Sequence, residues 1–125
     1  MNEQEFKDRT KKFALRVIKL VEALPRKQTA QVIGKQLLRS GTSVGANYRA
    51  ACRAKSTLDI IHKLSIVEEE ADESLFWMEL LIEGELMRKT KLASLMAEAD
   101  EIIAMIVSSI KALRTRQSRN RKSKI

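Results

Sequence analysis

Four stretches of this 125-residue chain repeat apolar residues at the spacing of an α-helix, and a single proline interrupts the whole sequence. At about 100° per residue, Phe6, Phe13, Val17, Leu20, Val21 and Leu24 share one face. Pro25 ends that segment, because the residue before a proline disfavours helical dihedrals. The spacing predicts a first helix over about 5–24. A second, over about 30–53, takes Thr29 as its N-cap and turns Ala30, Ile33, Leu37, Val44, Tyr48 and Ala51 to one side. A third, over about 57–86, opens on Ser56 followed by Asp59, a relative of the capping box. Its core face is Ile60, Ile61, Leu64, Val67, Ala71, Leu75, Met78 and Ile82. A turn around 88–91 precedes a fourth helix over about 91–115, striped by Leu92, Leu95, Met96, Ala99, Ile102, Ile103, Ile106, Ile110 and Leu113. Strand alternation, solenoid repeats and sustained heptads are missing from the sequence. The pattern predicts an all-α fold, an antiparallel up-down four-helix bundle over residues 1–115. Residues 116–125, with almost no apolar content, are expected to fray into a basic flexible tail.

The second segment contains a local contradiction. Gly41 and Gly45 sit in its middle, and each costs roughly 1 kcal/mol against alanine in a helix interior. Close approach of a neighbouring helix to side-chain-free backbone would offset that cost. Gln36, Ser40, Ser43 and Asn47 follow the same shoulder and could hydrogen-bond a neighbour. The alternative is a kinked or broken helix near residues 41–43. A phosphate loop is excluded, since no Gly-Lys-Ser/Thr signature and no preceding strand accompany the glycines.

Charge is segregated along the chain. Residues 1–55 hold 13 Lys/Arg against 4 Asp/Glu, residues 56–105 hold 4 against 12, and residues 106–125 hold 7 and none. Such a pattern fits a polyanion partner, or subunits pairing plus to minus. One cysteine, Cys52, excludes an internal disulfide and makes a reducing cytoplasm the expected compartment. No stretch approaches the roughly 18 apolar residues of a membrane span, and the charged N-terminus lacks a signal core, so no membrane partner is expected. His62 is the only histidine, so the paired Glu-x-x-His sets of di-iron bundles are absent and no metal or other cofactor is expected. Without a nucleophile-base pair the chain is not expected to be an enzyme or to take a small-molecule substrate.

Residues 36–83 carry Ser40, Ser43, Gly45 to Tyr48, Ser56, Asp59, Ile61 to Leu64, and the "EEADESLFW" run with Glu70, Glu73 and Trp77. This region resembles the bacterial four-helix-bundle proteins related to the 23S rRNA intervening-sequence protein. The resemblance implies a ring-like homopentamer. It further implies that relatives are encoded within 23S rRNA genes, or serve the reverse transcriptases of diversity-generating retroelements through a basic surface. One departure is Ala50, where that family usually has glutamate.

The candidate nucleic-acid contacts are Lys12, Arg16 and Lys19, in line with Arg9 on the first helix, and Lys35, Arg39, Arg49 and Arg53 on the second. Antiparallel neighbours could merge the two sets into one surface that neutralises phosphates with little sequence reading. Arg114, Arg116, Arg119, Arg121, Lys122 and Lys124 would form an auxiliary arm. Leu15, Ile18, Ile66, Trp77 and Leu80 lie off the core stripes and are the candidate oligomer interface. The leading expectation is an oligomeric scaffold for RNA or DNA, with a reverse transcriptase as further partner in the retroelement branch. The alternative is a protein-interaction adaptor whose charge segregation serves assembly alone.

Overall fold

The structure, a computed structural model, describes residues 1–123, and its described residues form four helices: α1 (Glu3–Glu22), α2 (Gln28–Arg53), α3 (Thr57–Glu83) and α4 (Lys89–Ser123). Helix α1 starts earlier than the apolar period implies, because Asn2 caps it. The Asn2 side-chain oxygen accepts from the Glu5 backbone N–H at 2.8 Å, and its amide donates to the Glu5 carboxylate at 3.0 Å. The first bond gives a partner to one of the N–H groups that a helix start leaves open, and the second ties the two side chains together. The expected N-cap at Thr29 is not found. Helix α2 begins at Gln28, with Lys27 in the cap position and no side-chain cap bond, which places Thr29 inside the first turn. Ser56 does cap α3, its hydroxyl accepting from the Asp59 N–H at 3.1 Å.

Helix α3 stops at Gly84, and the turn falls at residues 84–88 rather than at 88–91. Glu85 takes a left-handed φ of 58°, and the Leu86 N–H returns to the Leu81 carbonyl at 2.9 Å. Leu86 and Met87 then pack back onto the core. Helix α4 runs on to Ser123 instead of ending near 115. Arg, Lys and Gln are good helix formers, and no glycine or proline stops them. The predicted tail is thus helical as far as it is described; Lys124 and Ile125 lie outside the described residues.

The helices close a ring in chain order. α1 packs on α2, α2 on α3 and α3 on α4, with a thinner contact between α1 and α4. Helices α1 and α2 run in opposite directions: Phe6 meets Tyr48, Thr10 meets Gly45, Val17 meets Gly41 and Leu24 meets Gly34. The core holds the expected stripes, including Phe13, Val17, Leu37, Val44, Val67, Met78, Leu92, Ile102 and Ile106. It also holds Leu81 and the polar Thr10, Ser40 and Ser74. Each polar member is satisfied. Thr10 donates to the Phe6 carbonyl at 3.0 Å, and the Ser40 and Ser74 hydroxyls bond each other at 2.9 Å across α2 and α3.

The two glycines lie within an unbroken α2, so the helix does not end and restart there. A Cβ on Gly41 would stand 2.8 Å from a Val17 methyl, and one on Gly45 would stand 3.4 Å from the Thr10 backbone. The close approach is therefore real, and Gly41 is the tighter of the two. Ser43 and Asn47 are not bridges to a neighbour. Ser43 donates to the Arg39 carbonyl and Asn47 to the Ser43 carbonyl, both within α2.

Candidate nucleic-acid interface

The structure does not merge the two predicted basic rows. Arg9 and Arg16 on α1 face α4, not α2. Arg9 grips the Glu98 carboxylate with two bonds, Nε at 2.7 Å and Nη2 at 2.8 Å, reaches Glu101 at 2.9 Å and contacts Met105 Sδ at 3.2 Å. Hydrogen bonding to Glu98 holds the Arg9 guanidinium above its ordinary range, and the same bonds hold the Glu98 carboxyl below the usual carboxylate range. Arg16 donates to the Ser94 hydroxyl at 2.9 Å. Lys12 and Lys19 are exposed on α1. Arg39 faces α3, where it pairs with Glu70 at 3.0 Å and with Glu73. Glu73 in turn accepts from the Trp77 indole N–H at 3.1 Å. Arg9, Arg16 and Arg39 are thus engaged by neighbouring helices of the bundle. Lys35 is exposed on α2.

The flank of α1 that does meet α2 is the one carrying Lys7, Lys11 and Ala14. With Arg49 and Arg53 they line a groove of about 400 Å³ whose floor includes Gly45 and Ala46. On the other side of Arg49 and Arg53, α2 and α3 form a second groove of about 600 Å³, with His62 and Lys63 opposite and Ala46, Ala50 and Ala54 along it. Arg49 and Arg53 therefore stand on a crest between two grooves. Two carboxylates also line these grooves, Asp8 in the first and Asp59 in the second. Lys7 pairs with Glu3 at 3.3 Å within its own helix, while Lys11, Arg49, Arg53 and Lys63 make no ion pair among the described residues. Lys7, Lys11 and Lys63 were not predicted. The signal for Lys7 and Lys11 was the period of the α1–α2 contact and for Lys63 that of the α2–α3 contact, each of which requires knowing the neighbour.

Both grooves lie at one end of the bundle, termed the head here, where α1 begins, α2 ends and α3 begins. A half-open cavity of about 320 Å³ marks it, walled by Phe6, Tyr48, Cys52, Ile60, Leu64 and Met105 from all four helices. Burial pushes the Tyr48 hydroxyl and the Cys52 thiol up, so both stay protonated near neutral pH. A thiol in that state is a poor nucleophile. Bonds from Cys52 and then Lys7 hold the Glu3 carboxyl below its usual range. Helix α4 passes the head and continues. From Arg114 to Lys122 every residue except Gln117 is exposed, including Arg114, Arg116, Arg119, Arg121 and Lys122.

Of the candidate interface residues, Leu15 is 54% exposed, whereas Ile18, Ile66, Trp77 and Leu80 are half-buried. The spacing missed Phe76, which is 50% exposed and stacks edge-on against Trp77 at 5.1 Å between ring centres. Among the described residues no three of His, Cys, Asp and Glu are placed to hold a metal, and no helix is long and apolar enough to cross a membrane.

Residues 2–108 match the family model described as 23S rRNA-intervening sequence protein. Among solved structures, a protein of unknown function from the S23 ribosomal protein family of Bacteroides thetaiotaomicron VPI-5482 is 40% identical, with a TM-score of 0.82 over 89% of this chain and 99% of that one. No curated protein matches the chain.

Proposed function

The chain belongs to the 23S rRNA-intervening sequence protein family, and we propose that it acts as a non-enzymatic nucleic-acid-binding scaffold whose contact surface is the head of the bundle. One observation carries the reading. Cations far apart in sequence, Lys11, Arg49, Arg53 and Lys63, gather in two open grooves around one crest, while Arg9 and Arg39 are held by carboxylates elsewhere. Lysine and arginine in open grooves bind phosphate chiefly by releasing counterions, with little reading of bases.

The test is fluorescence anisotropy of the full chain with labelled RNA and DNA at several salt concentrations. The comparison is with Lys11→Gln, Arg49→Gln, Arg53→Gln, Lys63→Gln combined. The wild type is expected to bind at low salt, with a log–log salt slope that the variant makes shallower by about 3 to 4, since each phosphate contact contributes about 0.9. No binding at low salt, or a variant indistinguishable from wild type, would overturn the reading.

Assembly with itself belongs to the same proposal. Exposed Leu15 on α1, and exposed Phe76 flanked on α3 by exposed Asp72 and Glu79, offer apolar and acidic surface for a second copy. A light-scattering mass of one subunit at micromolar concentration would sink this part and leave nucleic-acid binding standing.

A further inference from the structure

The extension of α4 past the head is more than a basic tail, because its helix fixes where each cation points. At 100° per residue, Lys111, Arg114, Arg116, Arg119, Arg121 and Lys122 cover an arc of about 220°. The remaining arc carries Ile110, Leu113 and Gln117, in line with the core stripe above, so the cationic arc faces away from the bundle axis. Within that arc the residues are sorted. Lys111, Thr115, Ser118 and Lys122 form its central line. Arg116 and Arg119 flank it on one side, and Arg114 and Arg121 on the other. No acidic residue interrupts them along the helix, and Glu68 of α3 is the carboxylate that lines the groove beside Lys111, Arg114 and Arg119.

We propose that this extension is a groove helix, which lies in the major groove of a B-form DNA duplex. A helix with its side chains is about 10–12 Å across, and that groove is about 12 Å wide. Arginines on both flanks match phosphates on both walls, a use that a single strand cannot make of them. The central threonine and serine are short hydroxyl donors and acceptors of the kind that meet base edges without strong preference. Arg114–Ser123 spans about 15 Å, enough for one pass across a groove. Single strands are generally held by aromatic stacking. The extension has no aromatic residue, and exposed Phe76 sits on α3 toward the opposite end from the head. The groove of an A-form RNA duplex is too narrow and deep for a helix to enter.

This inference rests on the proposed nucleic-acid binding and adds the form of its ligand. The experiment titrates the full chain with a 20-base-pair DNA duplex, its single strand, and the matching RNA duplex, at several salt concentrations. The variants are Arg114→Gln, Arg116→Gln, Arg119→Gln, Arg121→Gln combined, and the head variant above. Wild type is expected to favour the DNA duplex. The extension variant is expected to lose more than tenfold in duplex affinity and about 3 to 4 from the duplex salt slope, while binding the single strand as wild type does. Circular dichroism of that variant checks that the helix persists. Equal wild-type affinity for duplex and single strand, preference for the RNA duplex, or an extension variant with the wild-type ratio would overturn the groove helix and leave the head binding intact. No binding to any of the three would overturn both.

Discussion

Helix α1 meets its two neighbours in different ways. Against α2 the contact is one of shape. Gly34, Gly41 and Gly45 expose backbone to Leu24, Val17 and Thr10, and a methyl group at position 41 has no room. Against α4 the contact is thin and is held by charge, with the Arg9 fork on Glu98 and Glu101 and Arg16 on Ser94. The first seam uses packing that only the folded partner can fill, and it is sensitive to single atoms. The second tolerates looser surfaces, because a long guanidinium bridges the gap.

The largest break expected is Gly41→Leu. Its Cβ alone would lie 2.8 and 2.9 Å from the two Val17 methyls. Overpacking of that kind is expected to cost about 3 kcal/mol or more, read as a drop in the urea midpoint. Gly45→Leu should follow the same direction, since its side chain meets Thr10 backbone rather than a movable side-chain end. An unchanged midpoint in both would mean that the seam is not tight.

The charged seam should break more gently. Arg9→Met leaves Glu98 half-buried without its partner and is expected to cost about 1–3 kcal/mol. Adding Glu98→Leu should recover most of that loss, because an apolar pair replaces an ion pair at little net cost. No recovery would place the loss in packing of the arginine stem instead.

Acid should separate the seams as well. The Glu98 carboxyl is lowered when folded, so its contribution is complete above its unfolded value of about 4.3 and is lost as pH falls through the lowered folded value. Wild type should therefore lose this stabilisation below about pH 4, and Arg9→Met should show a flatter decline. Parallel acid curves would remove Glu98 from the account.

The smallest effect sharpens the comparison within the glycine seam. Gly45→Ala puts its Cβ at 3.4 Å from Thr10, close to ordinary contact. The gain in helix propensity is about 1 kcal/mol, so the variant is expected to lie within about 1 kcal/mol of wild type, on the stable side. Gly41→Ala should lie on the unstable side. The opposite order would assign the close approach to the wrong glycine.

Much of this was legible in the sequence. The stripes that predicted the core recur as buried residues from Phe13 to Ile110, because burial along one helix follows its own period. Ser56 announced the start of α3 for the same local reason. Leu81 was missed in favour of Ile82, since the two stand about 100° apart on opposite shoulders of the stripe and only the packed neighbours decide which is buried deeper. Ser40 was expected to hydrogen-bond a neighbouring helix and does so, but its partner Ser74 was not legible, because a hydroxyl is buried only if another group answers it and the two answer each other from different helices. The helical course of residues 116–123 was missed because low apolar content was read as disorder, although the propensities there favour helix.

For the basic residues the division is sharper. By itself the sequence determined how many cations there are, which segment carries each, and that α3 holds only Lys63. Only the tertiary structure decided that Arg9 and Arg39 are tied up in ion pairs, that Lys7 and Lys11 share a groove with Arg49 and Arg53, and that the extension of α4 leaves from the same end. The reason is physical. A helix's period is set by its own backbone, but which flank meets which neighbour depends on the order and register in which four helices close around one core.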